Sequence, residues 1–313
     1  MNSDSRLEFT PFDWSIAPAD PNDLLLGQIV SCNPGIKNKA RCVLFGLPFD
    51  GAVLGRKGAA AGPHAIRTQA RLLKAYSYVH GELTQPVYDL GDVKLPAVVA
   101  KAHERATRAA RKAMSHNTRA IALGGDHSLT FPCALPYLEN ERLAVINLDA
   151  HLDVRTVAPN EPFNSGTSFA RLLERGLKSY TVVGARDFQT SGAYVRRVLD
   201  SGGSVITASE IFSKGPVQTA LDVLHTLPNR IEAIYLSVDM DVADASVAPG
   251  VSAPTPGGLL AHQIFELIRI FCADPRIVAC DIMELAPPLE EPGSDRTSRL
   301  AAACLAGMIA SFK

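Results

Sequence analysis

The amino-acid sequence predicts an α/β domain built on a mostly parallel sheet, and three observations carry that expectation. Short apolar runs alternate with longer segments of helical periodicity from Arg41 onward, the pattern of βαβ units. Most of those runs are apolar almost without interruption, as strands buried on both faces must be. No linker-like stretch, repeat or low-complexity block divides the chain.

In chain order the expected strands are CVLFGLPF, VYDLGD, AIALGG, LAVINLDAH, TVVGAR, SVITA, AIYLSVDMD and IVACDIME. Between them, VVAKAHERATRAARKAMSH and HQIFELIRIFCA repeat apolar residues at helical spacing. Residues 1–40 are Pro- and polar-rich without clear periodicity, and read as an arm laid over a domain spanning 41–313. In a sheet of this kind ligands bind beyond the carboxyl ends of the strands. Three polar clusters fall at such ends: Gly124-Gly125-Asp126-His127-Ser128, Asp149-Ala150-His151-Leu152-Asp153 and Asp239-Met240-Asp241.

Bulk composition narrows the function. The chain has 313 residues, 47% of them hydrophobic and 20% charged, with a formal net charge of −1. Near-neutrality gives no electrostatic case for a nucleic-acid or anionic-membrane partner. No apolar run is long enough for a transmembrane helix, and the start MNSDSRLEFTPFDWS lacks the basic and apolar regions of a secretory signal. Six scattered cysteines without a CxxC pair read as reduced thiols of a cytoplasmic protein.

The three clusters suggest a metal centre. Residues i, i+2 and i+4 of a strand share a side, which is the spacing of Asp149, His151 and Asp153, and of Asp239 and Asp241. An extended run would spread Asp149 and Asp153 over about 13 Å, too far for one ion. Either the strand ends and bends there or the ligands serve two ions. Neighbouring strands lie about 4.8 Å apart, so Asp149 and Asp239 are able to face each other and bridge both. Four carboxylates left unpaired in one crevice would repel and raise one another's pKa values. Two divalent cations neutralise them, and the imidazoles of His127 and His151 complete the set. Carboxylates with histidine and no thiolate favour two Mn²⁺ ions per chain over Zn²⁺. Each cluster has a blander reading: DAHLD as a capped turn, GGDHS as a helix entry with Ser128 as the cap. All three in this order at strand ends are hard to reconcile with those.

With these motifs in hand, the sequence resembles the arginase and agmatinase (ureohydrolase) family over most of its length. GGDHS, DAHLD and SVDMDVAD look like that family's metal motifs, LGRKGAAAGPHAIR (54–67) like its N-terminal segment, and DIMELAP (281–287) like its C-terminal glutamate motif. The resemblance implies a single three-layer α/β/α domain on an eight-stranded, mostly parallel sheet, and a homo-trimer or hexamer. It also implies one ion on His127, Asp149, Asp153 and Asp239, and the other on Asp149, His151, Asp239 and Asp241. Metal coordination brings the pKa of water from about 15.7 toward 7, which suits attack on an amidine or guanidine carbon. Asp153 is then expected to orient that nucleophile and carry its proton, and Glu284 to pair with the substrate's planar N–C–N cation.

Within the family the chain departs from arginases and agmatinases, whose histidines near Ser-Gly or Gly-Thr are missing from Phe163-Asn164-Ser165-Gly166-Thr167-Ser168-Phe169. Arg155 directly after the DAHLDV run, and SVAPGVSAP (246–254) with Ala245 before it, look more like the formimidoylglutamase subgroup of histidine degradation. Arg155 should stand at the crevice mouth, attracting an anionic tail and repelling agmatine's ammonium. Arg186 is expected as a second carboxylate anchor, with Asn164 and Ser165 as hydrogen-bond donors. The expected partner is thus a small molecule with a carboxylate tail, N-formimidoyl-L-glutamate being hydrolysed to glutamate and formamide. Alternatives are agmatinase, guanidinobutyrase-like or arginase activity releasing urea, and a non-catalytic oligomeric relative. A one-ion zinc deacetylase would not need the Asp239–Asp241 pair.

Overall fold

The computed structural model describes residues 7–114, 118–138, 142–156 and 163–312. Ten strands form one sheet: β1 (Phe9–Thr10), β2 (Val30–Ser31), β3 (Cys42–Gly46), β4 (Val87–Val93), β5 (Arg119–Leu123), β6 (Leu143–Leu148), β7 (Tyr180–Ala185), β8 (Ser204–Thr207), β9 (Ala233–Asp239) and β10 (Ile277–Met283). The spatial order is β1-β4-β3-β5-β10-β9-β6-β7-β8, with β2 also on β4. All pairings are parallel except β1 on β4.

All eight expected strands are present, but the sheet exceeds the expected eight. The two additions are two-residue strands from the N-terminal segment, too short to show any periodicity. Physically they answer an edge problem: β4 would otherwise present unpaired backbone groups to solvent. β2 takes Val87 and Tyr88, and β1 takes Asp92 and Val93.

Alternation along the strands splits the core in two. Cys42 and Leu44 of β3 face one layer, Val43 and Phe45 the other. The first layer holds α1 (Gly62–Ala70) together with later helices, and the second holds α2 (Val99–Met114), α3 (Thr130–Leu138), α4 (Ser168–Glu174) and α5 (Gly192–Asp200). The later helices of the first layer are α6 (Ala208–Lys214), α7 (Pro216–Thr226), α8 (Ala261–Cys272) and α9 (Arg296–Ser311). The expected helix over 98–116 is α2; its last two residues, Ser115 and His116, lie outside those described. Its inner face is almost all alanine (Ala102, Ala106, Ala109, Ala110, Ala113), which lets it approach the sheet closely.

The segment before β3 is fastened by a buried ion pair. Arg67 of α1 donates from Nε and Nη2 to Asp89 on β4 (2.7 and 2.9 Å) and from Nη1 to Asp92 (2.5 Å). Trp14 Nε1 donates to the same Asp89 carboxylate at 2.8 Å. A fully buried guanidinium is tolerated because its charge and fork geometry are matched.

Candidate metal centre and active site

Four adjacent central strands, β5, β10, β9 and β6, end at one rim, and each delivers chemistry there. After β5 the chain turns through Gly124 and Gly125 because no side chain fits. A Cβ on Gly124 would lie 1.8 Å from Met283 Sδ, and one on Gly125 1.7 Å from the Phe49 carbonyl oxygen. Asp126 then caps the one-turn helix His127–Leu129 by accepting from Ser128 N at 3.0 Å. The cap is therefore Asp126, not Ser128, whose hydroxyl instead meets His103 Nε2 at 2.9 Å.

β6 stops at Leu148, so the bend expected between Asp149 and Asp153 exists. Val238 of β9 is level with Leu148, which sets Asp239 beside Asp149. Asp149 is held by Asn147 Nδ2 (2.8 Å) and His151 N (2.6 Å); Asp241 N donates to Asp239 Oδ1 (2.8 Å) and Ala150 N to Asp241 Oδ1 (3.2 Å). These contacts fix one oxygen or more of each carboxylate and aim the group inward.

The result is two ligand clusters sharing Asp149: His127 with Asp149 and Asp239, and His151 with Asp149 and Asp241, each with donor atoms within 4.8 Å of one another. His127 Nδ1 lies 2.9 Å from Asp239, 3.0 Å from Asp153 and 3.3 Å from Asp149. His151 Nδ1 lies 3.0 Å from Asp241 and 3.5 Å from Asp149. One ring nitrogen carries at most one proton and cannot serve three carboxylates; the buried Nδ1 of His127 indeed has no hydrogen-bond partner of acceptable geometry. A cation held by His127 and these carboxylates would resolve the geometry.

Electrostatics give the same answer. Burial pushes His127 down, yet Asp149, Asp153 and Asp239 outweigh it and hold the ring well above its usual range. His151, opposed by burial, is driven up to about 12 by Asp241 and Asp149. Burial raises Asp239, reinforced by Asp241 and Asp149, and raises Asp153, reinforced by Asp149. Asp149 resists burial and falls below the carboxylate range because both imidazoles flank it. A pocket that pulls protons this strongly onto imidazoles is one that would bind cations in their place. The oxygen- and nitrogen-only donor set fits two hard or borderline divalent ions.

A pocket of about 90 Å³ opens over these residues, lined by His127, His151, Asp153, Asp239, Asp241, Arg155, Ser165, Gly166, Ser252, Ala253, Glu284, Leu54 and Gly55. Glu284 and Asp153 are two of the four described non-glycine residues with positive φ, 64° and 46°. Such backbone costs of order 1–3 kcal/mol and collects at functional sites. Hydrogen bonds hold it: Glu284 N to Gly125 O, and Phe169 N and Ala170 N to Asp153 O at the start of α4. Glu284 Oε1 accepts from His127 N at 2.7 Å, while Oε2 is buried without a partner. Burial and the nearby Asp126 carboxylate push Glu284 up to about 8.

Arg155 is exposed at the mouth and has no ion-pair partner among the described residues. Its N–H donates to Gly166 O at 2.9 Å, joining it to the loop that carries Ser165. Ser165 lines the pocket, its Oγ accepting from Leu54 N at 3.1 Å. Asn164 does not line it, and its Oδ1 is buried without a partner. Arg186, expected as a second carboxylate anchor, does not line the pocket. It is buried, donating from Nη1 to Gly184 O and from Nη2 to the carbonyls of Asp241, Val242 and Ala243 at 2.7–3.0 Å. It braces the Asp239–Asp241 turn from behind. Reading the sequence did not single out Leu54, Gly55, Ser252 and Ala253 as pocket residues, although they lie in the 54–67 and 246–254 segments that resemble the family.

The arginase-family model matches residues 40–310. The formimidoylglutamase of Halobacterium salinarum is 37% identical over 304 residues, covering 94% of this chain and 97% of that protein. The crystal structure of the Bacillus subtilis formimidoylglutamase superposes with a TM-score of 0.86 at 28% identity, covering 95% of this chain and 94% of that one. A formiminoglutamase from Trypanosoma cruzi solved with Mn²⁺ gives 0.85 at 26% identity, covering 93% and 100%. With the fold, the paired ligand clusters and this match in agreement, the chain belongs to the arginase family.

Proposed function

We propose that this enzyme hydrolyses N-formimidoyl-L-glutamate to L-glutamate and formamide, with two Mn²⁺ ions held by His127, Asp149, His151, Asp153, Asp239 and Asp241. Asp149, which belongs to both clusters, and Asp239 would serve both ions in this reading. The observation that carries the substrate choice is Arg155: a guanidinium without an ion-pair partner among the described residues, at the mouth of a pocket whose floor is the ligand cluster. When bound, the ions supply Lewis acidity and bring the pKa of water toward neutrality.

The chain's own groups account for the rest. The pocket suits a planar amidinium head, leaving the tail at the mouth. Glu284 Oε2, buried and unpartnered, faces that head. An entering cation favours the ionised carboxylate and so reverses the upward pull of burial. Asp153, on the pocket wall 3.0 Å from His127 Nδ1, is placed to orient the nucleophile and pass its proton toward the leaving nitrogen. Arg155 then holds a tail carboxylate, with the Ser165 hydroxyl beside it. Asn164 and Arg186 serve the surrounding loops. The names of the relatives support this assignment, and the T. cruzi structure with Mn²⁺ supports the metal. We also take the enzyme to be cytoplasmic and a trimer or hexamer; no described helix is long and apolar enough to cross a membrane.

Arg155→Ala tests the reading. A charge-assisted contact to a carboxylate contributes about 1.5–3 kcal/mol, so kcat/KM for formimidoylglutamate should fall by about one to two decades. Agmatine turnover should be unchanged or improved. Equal losses on formimidoylglutamate, guanidinobutyrate, arginine and agmatine would remove the tail assignment.

A further inference from the structure

The two imidazoles of the centre are supported differently, and the difference lies beneath the site, in the sheet itself. His127 Nε2 meets Ser237 Oγ at 3.0 Å. Ser237 Oγ donates to Asp281 Oδ1 at 2.6 Å, and the other oxygen of Asp281 accepts from Thr130 Oγ1 and Tyr235 OH, both at 2.8 Å. Ser237, Asp281, Thr130 and Tyr235 are all at most 1% exposed. Register explains the assembly: Ser237 of β9 is level with Asp281 of β10, and Tyr235 lies two residues before Ser237 on the same face. No hydrogen bond of this kind backs the Nε2 of His151 among the described residues.

A carboxylate only accepts, and three hydroxyls converge on this one. Ser237 has a single proton, which goes to Asp281, so the oxygen it turns to His127 offers only lone pairs. Nε2 of His127 must therefore carry a hydrogen, and Nδ1 is left to face Asp149, Asp153 and Asp239. We propose that Ser237 and Asp281 are positioning residues that lock His127 in the Nε2–H tautomer and thereby reserve Nδ1 for one of the two metal ions. The proposal rests on the two-metal reading above. Neither residue touches the pocket.

The test is Mn²⁺ binding to the full-length protein, followed by competition with a fluorescent chelator and by electron paramagnetic resonance. Wild type should bind two ions and show the spectrum of a coupled pair. Ser237→Ala should weaken one ion by about 10- to 100-fold, the usual effect of losing a partner that orients a ligand, and leave the other at wild-type affinity. At metal concentrations that saturate wild type, the signal of an isolated Mn²⁺ should replace the coupled one. Ser237→Thr, which keeps the hydroxyl, should restore the second ion. Ser237→Cys, near-isosteric with a weaker acceptor, should lie between, and serves if the alanine variant does not fold. Two ions at wild-type affinity in Ser237→Ala, or equal loss of both, would overturn the proposal. Failure of wild type itself to bind two ions would instead overturn the metal reading on which it rests.

Discussion

At the residue scale, the proposed mechanism turns on two acids in strained backbone. Asp153 and Glu284 both sit at positive φ, and asparagine tolerates that region well. Asp153→Asn should therefore fold with a melting temperature near wild type, yet lose turnover by about two decades or more, as expected for a displaced proton-transfer group. Unchanged kcat would remove Asp153 from the chemistry. Glu284→Gln keeps shape and the acceptor for His127 N but loses the charge that meets an amidinium; KM should rise at least tenfold while both metals remain bound. Metal analysis beside kinetics separates that outcome from collapse of the site. Asp153 was legible in the sequence because carboxylate and imidazole at i, i+2 spacing on strand ends have few other uses, and Glu284 because DIMELAP resembles the family's C-terminal glutamate motif. Arg186 shows the limit of that reading. An arginine after a strand can face a ligand or brace a turn, and only the positions of the Asp241, Val242 and Ala243 carbonyls decide which. Ser237 and Asp281 escaped for a related reason: a serine and an aspartate inside apolar strands acquire meaning only when the register sets them side by side.

At the scale of elements, the turns that present the ligands leave little freedom. Gly125→Ala would place a Cβ 1.7 Å from a backbone oxygen, which must move, taking Asp126 and His127 with it. A stability loss of about 1–3 kcal/mol, with weakened metal binding, is expected from denaturation and metal titration. Wild-type behaviour would show that the turn tolerates a side chain. The buried Arg67–Asp89–Asp92 group makes a second case. Arg67→Met leaves Asp89 buried and uncompensated, and should destabilise the fold by about 3–5 kcal/mol. Lys214→Ala, which breaks an exposed, solvent-screened pair with Asp222, should cost far less. Comparable thermal midpoints for the two variants would contradict this ranking. Eight strands could be read from their apolar runs, since length and β-branched content mark them. β1 and β2 could not: two residues have no period, and they exist because β4 has an open edge to cover.

At the scale of the whole molecule, the sheet gathers four strand ends into one proton-hungry pocket, and metal binding should reflect that. Because the carboxylates pull the pKa of His127 and His151 upward, these rings hold their protons more tightly in the metal-free protein than ordinary imidazoles do. Folded-state values raised in this way mean that these protons must leave when the ions bind. Mn²⁺ affinity should rise with pH, about tenfold per unit for each proton released. Calorimetry in two buffers of different ionisation enthalpy would count the protons, and a count of zero would contradict the electrostatics. The family resemblance and the clustered ligands were already visible in the motifs, whereas the shape of the pocket mouth was not, since its walls come from loops far apart in the chain. That mouth is where the central claim is decided. The most direct measurement is product analysis with the Mn²⁺-loaded enzyme on N-formimidoyl-L-glutamate, guanidinobutyrate, arginine and agmatine. The account predicts formamide and glutamate from the first, at a kcat/KM at least a hundredfold above that for urea release from the others. Preferential release of urea from agmatine or arginine would contradict it.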